Sequence, residues 1–319
     1  MTPDPASQVA EVLSRVKPEK DSLLTVGVFD GVHLGHQTLL SELHTRARQR
    51  EMMSGVVTFQ SHPRRVLQPS NKFPFINGID DRLEKIRSLG IDLVVAIPFT
   101  VETARLTARE FIALLVKYLK MKGLVVGPDF ALGRKREGNA DHLQQLGREM
   151  GFTVEVIKPV AVGGEVVSST LLRNTLARGD MRKSARLLGQ PFYLKGKVVR
   201  GTQHGLDLGF PTANLEIHSG QALPANGVYA TITEIAGENY HSVTNIGNRP
   251  TFGDNPQTIE THVLDFNGDL YGQTIKVSFV ERLRNEIRFK TIDELRDQIQ
   301  KDVAQARILL VKEKPSQGR

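Results

Sequence analysis

The sequence predicts an α/β protein in two parts: an N-terminal doubly wound parallel sheet flanked by helices, then a C-terminal antiparallel β-barrel with a terminal helix. Three observations predict it. Between Leu23 and about Lys183, short runs of near-continuous Val, Leu and Ile alternate with helically spaced stretches, the mark of strands covered on both faces. After Gly189, β-rich segments follow one another with Gly, Asn and Pro between them and no helical pattern. The last long stretch, TIDELRDQIQKDVAQARILLVKEK, returns to helical spacing.

In the first part the strands are LLTVGVF (23–29), GVVTF (55–59), IDLVVAI (91–97), GLVVG (123–127) and FTVEVI (152–157). GHQTLLSELHTRARQR, AREFIALLVKYLK and ADHLQQLGREM supply helices between them. Ligands of such sheets bind beyond the C-terminal strand ends, so the segments after the first, second and fourth strands are expected to converge. In the second part FYLKGKVVRG, GVYATITEIAG, YHSVTNIG, TIETHVLDF and YGQTIKVSFVERL read as strands. The final helix has Thr291 as N-cap with Glu294 three residues on, a capping box, and Leu295, Ile299 and Val303 on one stripe that plugs or flanks the barrel. The change of texture lies between about 180 and 190, giving expected domains 1–184 and 185–319.

A length of 319 residues is enough for two separate cores. Cys is absent, which removes disulfides, thiolate nucleophiles and Cys-based zinc sites; catalysis is left to His, carboxylates, hydroxyls, Lys, Arg or a bound metal. The first twenty residues lack the apolar stretch of a secretory signal, and no run of about 18 apolar residues occurs, so a cytoplasmic protein with no membrane partner is expected. The net charge of +7, from 42 Lys and Arg against 35 Asp and Glu, suits polyanions. Its basic residues are dispersed in mixed-sign helices such as DDRLEKIRSLG, aromatics are only 6%, and Trp is absent, so small phosphorylated substrates are favoured over nucleic acid.

The first strand runs into Asp30-Gly31-Val32-His33-Leu34-Gly35-His36 and then a helix. A helix start offers free N–H groups and a positive dipole end to a phosphate. Gly35 lets that phosphate approach the backbone, and the imidazoles of His33 and His36 can donate to oxygens that gain charge at a five-coordinate phosphorus. The alternative is a pair of polar helix-start residues or half of a metal site. His62, in Thr58-Phe59-Gln60-Ser61-His62-Pro63 after the second strand, can face the first loop or be merely exposed. Gly127-Pro128-Asp129-Phe130 ends the fourth strand, and Ser168-Ser169-Thr170-Leu171-Leu172-Arg173 opens a helix whose hydroxyls and Arg173 either cap it or clamp a departing pyrophosphate.

Taken in order, GVFDGVHLGHQTLL, TFQSHPRRVL, GPDFALG and VSSTLLRNTLARGD resemble the FMN adenylyltransferase half of the bacterial bifunctional riboflavin kinase/FAD synthetases. The resemblance implies that His33 and His36 act on the α-phosphate of ATP within a site that includes Gly27, Phe29 and Gly35. It also turns Ser169, Thr170 and Arg173 toward the phosphate tail and sets His62, Asp129 and Phe130 near nucleotide or flavin. The chain departs from the family at Ser61, where proline is common, and at Leu132, where an aromatic is.

In the second part, Leu208-Gly209-Phe210-Pro211-Thr212-Ala213-Asn214-Leu215 puts a hydroxyl and an amide on one face of an extended segment. With phosphate oxygens and water, Thr212 and Asn214 could complete a Mg²⁺ shell, or they bond local backbone in a turn. The upstream run Gly201-Thr202-Gln203-His204-Gly205 could fold over phosphates. Strand alternation sets Glu260, His262, Leu264 and Phe266 on one face; a carboxylate there is either paired structurally or a general base for a substrate hydroxyl.

LGFPTANL, GVYATI, NIGNRPTFG and ETHVLDFNGDLYG resemble the riboflavin kinase module of the same family, and with the first half the likeness spans about residues 20–310. It implies a six-stranded barrel, with Thr212 and Asn214 at Mg-ATP, Gly201, Gly205 and Pro211 about the nucleotide, and Glu260 as base to the ribityl hydroxyl. The substrates so implied are riboflavin, FMN and ATP, with FAD as product. Two rivals are a basic RNA-binding protein with an oligonucleotide barrel and a nucleotidyltransferase with a purely structural barrel.

Overall fold

The computed structural model describes residues 5–70, 73–201, 209–248 and 257–311. The chain divides into two compact units, Met1–Ser169 and Thr170–Arg319.

The first unit runs α1 (Pro5–Ser14), β1 (Ser22–Val26), α2 (Leu34–Gln49), β2 (Met53–Phe59), α3 (Pro63–Leu67), α4 (Ile79–Ser88), β3 (Leu93–Ile97), α5 (Ala108–Leu119) and β4 (Met121–Val126). It continues through β5 (Ala131–Leu132), β6 (Gly138–Asn139), α6 (Ala140–Met150), β7 (Thr153–Val156), β8 (Ala161–Val162) and β9 (Glu165–Val166). Five strands pair in parallel in the order β3-β2-β1-β4-β7. The apolar runs are continuous because each face has its own core. Leu24, Val57 and Val126 pack with Leu13, Ile112 and Leu143, while Leu23, Val56 and Val125 pack with Leu40, Leu43 and Ile86. Strand order reverses between β1 and β4, so the loops after these two strands flank the crevice where such sheets bind ligands.

The first strand is shorter than its apolar run. It ends at Val26, and the chain leaves the sheet through Phe29, Gly31 and Val32, whose φ angles are 53, 84 and 41°. A β-branched residue at positive φ is strained and persists only where its surroundings hold it. Here Asp30 Oδ1 accepts the Ile76 N–H at 2.8 Å and Asn77 Oδ1 accepts the Gly31 N–H at 2.8 Å.

The second unit follows from the helix α7 (Ser169–Arg178), whose first residue closes the first unit, and contains α8 (Met181–Leu188), β10 (Phe192–Val199), β11 (Ala213–Glu216), β12 (Gly227–Ile235), β13 (Glu238–Asn248), β14 (Gln257–Val263), β15 (Thr274–Arg284) and α9 (Ile292–Leu310). Its six strands close a barrel in the order β10-β11-β14-β13-β12-β15. The compact-unit junction precedes the 184/185 change in sequence texture because α7 and α8 join the barrel. The Ala225 N–H donates to the Leu176 carbonyl, Arg182 pairs with Glu281, and α8 packs on β10 and β15.

The barrel interior is partly polar. Thr231 bonds Ser242 and Thr244 at 2.8 Å each, Thr233 bonds Ser242 at 2.7 Å, and Thr244 bonds Thr261 at 3.0 Å, all fully buried. The opposite, outer side of β12 and β13 carries Val228, Ala230 and Val243, against which α9 lays Val303, Ala306 and Leu310. The helix therefore flanks the barrel. Its cap differs from a reciprocal box: Thr291 Oγ1 accepts the Glu294 N–H, but the Glu294 carboxylate takes the Lys290 N–H at 2.9 Å.

Candidate active sites

In the first unit the site grows from the start of α2. His33 is the N-cap, and its Nδ1 accepts the His36 N–H at 3.3 Å. That bond leaves Nδ1 without a proton and puts the ring proton of neutral His33 on Nε2. The two imidazoles stack with centroids 3.7 Å apart at 15°, and Phe29 meets His36 edge-on at 5.2 Å. Phe29 is 3% exposed, so it supports His36 from the core. A Cβ on Gly27 would stand 3.0 Å from the Phe29 ring, and one on Gly35 would stand 3.3 Å from the His33 ring. Both glycines thus set the rings' places. Ser169 Oγ donates to the Asp30 carbonyl at 2.8 Å, tying the start of α7 to this loop.

Two charged residues that sequence reading passed over belong here. Arg82 on α4 is 4% exposed, donates through Nη2 to the Phe59 carbonyl at 2.6 Å, and leaves Nε without a partner. Burial lowers its pKa, with Asp30 opposing, and burial likewise lowers that of Lys85 to about 8. His36 is pushed well below the ordinary 6.5, first by burial and then by His33, Arg82 and Lys85, so its imidazole is neutral at pH 7. Its Nδ1 is buried without a hydrogen-bond partner.

No described contact joins the remaining residues expected in this region to His33 or His36. His62 caps α3, its Nδ1 accepting the Arg64 N–H at 3.1 Å, and lies 4.4 Å from the Phe73 ring centroid. Asp129 is exposed and its carbonyl accepts from Arg136 Nη2, while Phe130 packs on the core. Thr170 and Arg173 lie on α7, exposed and half-buried respectively.

In the second unit a row of paired residues crosses the barrel wall: Asn214 opposite Glu260, Glu260 opposite Asn245, Asn245 opposite Val228, and Val228 opposite Arg284. The alternation expected for β14 holds as far as Val263, with Ile259, Thr261 and Val263 buried and Glu260 and His262 half-buried on the other face. Beyond it the strand ends, Leu264 is buried and Asp265 turns at φ 57°, so Leu264 and Phe266 do not continue the Glu260 face as expected. Glu260 lines a cavity of roughly 280 Å³ with Thr212, Phe210, Arg284, Phe289 and Asp302 among its walls. A second cavity, roughly 350 Å³, is lined by Pro211, Thr212, Phe266 and Tyr271, so the two meet at Thr212. His262 Nδ1 donates to the Pro211 carbonyl at 2.8 Å. Asn214 is 8% exposed, and a Cβ on Gly201 would fall 2.3 Å from its Nδ2, so a side chain there would have to displace that amide. Gly205 lies outside the described residues.

Residues 16–171 match the family model for FAD synthetase, and residues 188–310 match that for riboflavin kinase. A protein of Pseudomonas fluorescens named bifunctional riboflavin kinase/FMN adenylyltransferase is 39% identical over 95% of this chain and 97% of its own length. The chain belongs to this bifunctional family. A Haemophilus influenzae member is 38% identical over 89% of this chain and 92% of its own. A crystal structure from Streptococcus pneumoniae, named a macrolide-efflux protein, is 31% identical and superposes with a TM-score of 0.85 over 92% of this chain and 96% of its own. Among the described residues of this family member, no helix is long and apolar enough to cross a membrane.

Proposed function

We propose that the two activities of the bifunctional riboflavin kinase/FMN adenylyltransferase family occupy the two sites described above: the barrel phosphorylates riboflavin with ATP, and the α/β unit adenylylates the resulting FMN to FAD. The observation that carries this division is the meeting of two cavities at Thr212, with Glu260 in the wall of one. A nucleotide in the Pro211–Tyr271 cavity brings its γ-phosphate to Thr212, and a flavin in the other brings its terminal ribityl hydroxyl to Glu260. The carboxylate takes the hydroxyl proton as that oxygen attacks phosphorus and the bond to ADP breaks.

Thr212 and Asn214 are neutral oxygen donors, a set that fits Mg²⁺ held chiefly by phosphate oxygens. When bound, the metal would neutralise charge on the phosphates. Gly201 leaves room for the Asn214 amide, and Pro211 orients His262 through its carbonyl.

In the α/β unit a phosphate oxygen of FMN attacks the α-phosphorus of ATP and pyrophosphate leaves. His33 donates through Nε2, and neutral His36 donates without adding a formal charge; both stabilise charge developing on the α-phosphate. Ser169 joins them from α7, and the likeness of the SSTLLR segment to the family motif supports assigning Thr170 and Arg173 to the β- and γ-phosphates. His62, Asp129 and Phe130 are assigned to the flavin nucleotide. The working compartment is the cytoplasm, and no nucleic acid or membrane takes part.

The test is incubation of the purified chain with riboflavin, ATP and Mg²⁺, with products separated by chromatography. FMN should appear first and FAD after it. Glu260→Gln should accumulate neither from riboflavin yet still convert supplied FMN to FAD; unchanged riboflavin phosphorylation by that variant would overturn the base assignment.

A further inference from the structure

The cavity that holds Glu260 has a charged wall at its other end. Arg284, at the end of β15, donates through Nε and Nη2 to the Asp302 carboxylate on α9 at 2.8–3.0 Å, and through Nη1 to the Asn285 carbonyl at 3.0 Å. Gln298 Nε2 adds a further bond to Asp302 at 2.9 Å. The two side chains are 17% and 4% accessible, so this is a buried pair whose two members both line the cavity.

Attachment of α9 does not by itself call for such a pair. The helix is already held by Val303, Ala306 and Leu310, and apolar residues of similar volume commonly replace buried ion pairs without loss of stability. The pair does supply donors. Guanidinium has five N–H groups, and the bonds above use one on each nitrogen, so one remains on Nη1 and one on Nη2. Asp302 fixes the plane and direction of both.

Distance then selects the ligand group. Arg284 and Glu260 lie on the same cross-strand row, separated by Val228 and Asn245, three inter-strand steps or about 14 Å along the wall. A flavin whose terminal hydroxyl is at Glu260 and whose ribityl chain is extended spans such a length, with the dione edge of its ring at the far end. Phe289 and Ile299 offer that ring apolar walls.

We infer that Arg284, oriented by Asp302, donates to a ring carbonyl of the flavin and so makes the kinase site selective for the dione edge of its substrate. This rests on the riboflavin-kinase reading of the barrel. The test measures kcat/KM of the full chain for riboflavin and for its 2-thio and 4-thio analogues, in which sulfur replaces one ring carbonyl oxygen as a weaker acceptor. The wild type should prefer riboflavin to one of the two analogues by about tenfold or more, the size expected for losing a charge-assisted bond. The Arg284→Met/Asp302→Leu double variant should bring that ratio close to one, whereas a purely structural pair would lower all three values together and leave the ratio unchanged. Arg284→Lys keeps a cation beside Asp302 without the planar fork, and should also reduce the ratio if the double variant fails to fold. A ratio unchanged in every folded variant, or a wild type indifferent to both sulfurs, overturns the inference alone. A wild type that phosphorylates none of the three flavins removes the kinase reading with it.

Discussion

His33 and His36 lie face to face, centroids 3.7 Å apart, while the His36 N–H donates to His33 Nδ1. One ring therefore caps the helix and fixes the other's backbone, and the stacked pair works as a unit. His36→Ala should lower FAD formation by about 10²-fold, the loss typical of removing one preorganised donor to developing charge. FMN formation from riboflavin should continue, and the melting transition should stay in place. Steady-state rates of the two half-reactions decide this, and retained adenylylation would move the chemistry away from the start of α2.

The charge state of His36 can be read directly. Burial, with Arg82 and Lys85 nearby, holds its folded pKa well below the ordinary 6.5, so the unfolded chain protonates first as pH falls. The sign follows: this group's share of stability is complete above 6.5 and is lost as pH drops from there toward the folded value. A ¹⁵N imidazole titration should find His36 neutral at pH 6.5, with its signals assigned by their loss in His36→Asn. Arg82→Met should raise the midpoint only partway, because burial is the larger cause. A wild-type midpoint at or above 6.5 would contradict the site's electrostatics.

In the barrel, a methyl group on Gly201 would fall 2.3 Å from Asn214 Nδ2, the amide proposed for Mg-ATP. Gly201→Ala must displace the amide or the strand that follows. We expect a rise in KM for Mg-ATP of about tenfold in riboflavin phosphorylation, from loss of one well-placed ligand or hydrogen bond. FMN adenylylation should be unaffected. Equal KM values for variant and wild type would show that Asn214 lies outside the nucleotide site.

Much of this was legible because local and tertiary signals agree. The runs around Leu24, Val57 and Val126 had to be strands covered on both sides, and Gly35 and Gly201 sit where a side chain would meet a neighbour. Arg82 was missed because DDRLEKIRSLG reads as a solvated mixed-sign helix. The available signal was register: Arg82 lies three residues after Ile79 and four before buried Ile86, on the inward stripe. Arg284 and Asp302 could not be paired from sequence, since they are brought together only by the return of α9 along the barrel. The capping-box reading of Thr291 anticipated one bond correctly and the other not, because the Glu294 carboxylate reaches Lys290 instead.

The junction of the units gives the last prediction. Buried Leu172, Leu176, Met181, Leu187 and Leu188 lie on α7 and α8, and these helices join the barrel through Leu176, Arg182 and the faces of β10 and β15. Yet Thr170 and Arg173 on α7 are assigned to ATP phosphates in adenylylation. On that proposed assignment, a cut at 169/170 removes Thr170 and Arg173 from adenylylation, whereas a cut at 184/185 removes the α7 and α8 packing from the barrel. Fragment 185–319 should melt below fragment 170–319 by more than about 5 °C, since burying even one such apolar side chain is worth roughly 1.5–3 kcal/mol. Both fragments, where folded, should phosphorylate riboflavin. Fragment 1–184 should adenylylate FMN, and fragment 1–169, lacking Thr170 and Arg173, should do so at least about 10²-fold more slowly. Calorimetry and the two half-reaction assays on all four fragments check this. Equal melting of the barrel fragments would show that α7 and α8 add nothing to that unit, and equal adenylylation by 1–169 and 1–184 would remove Thr170 and Arg173 from the phosphate site.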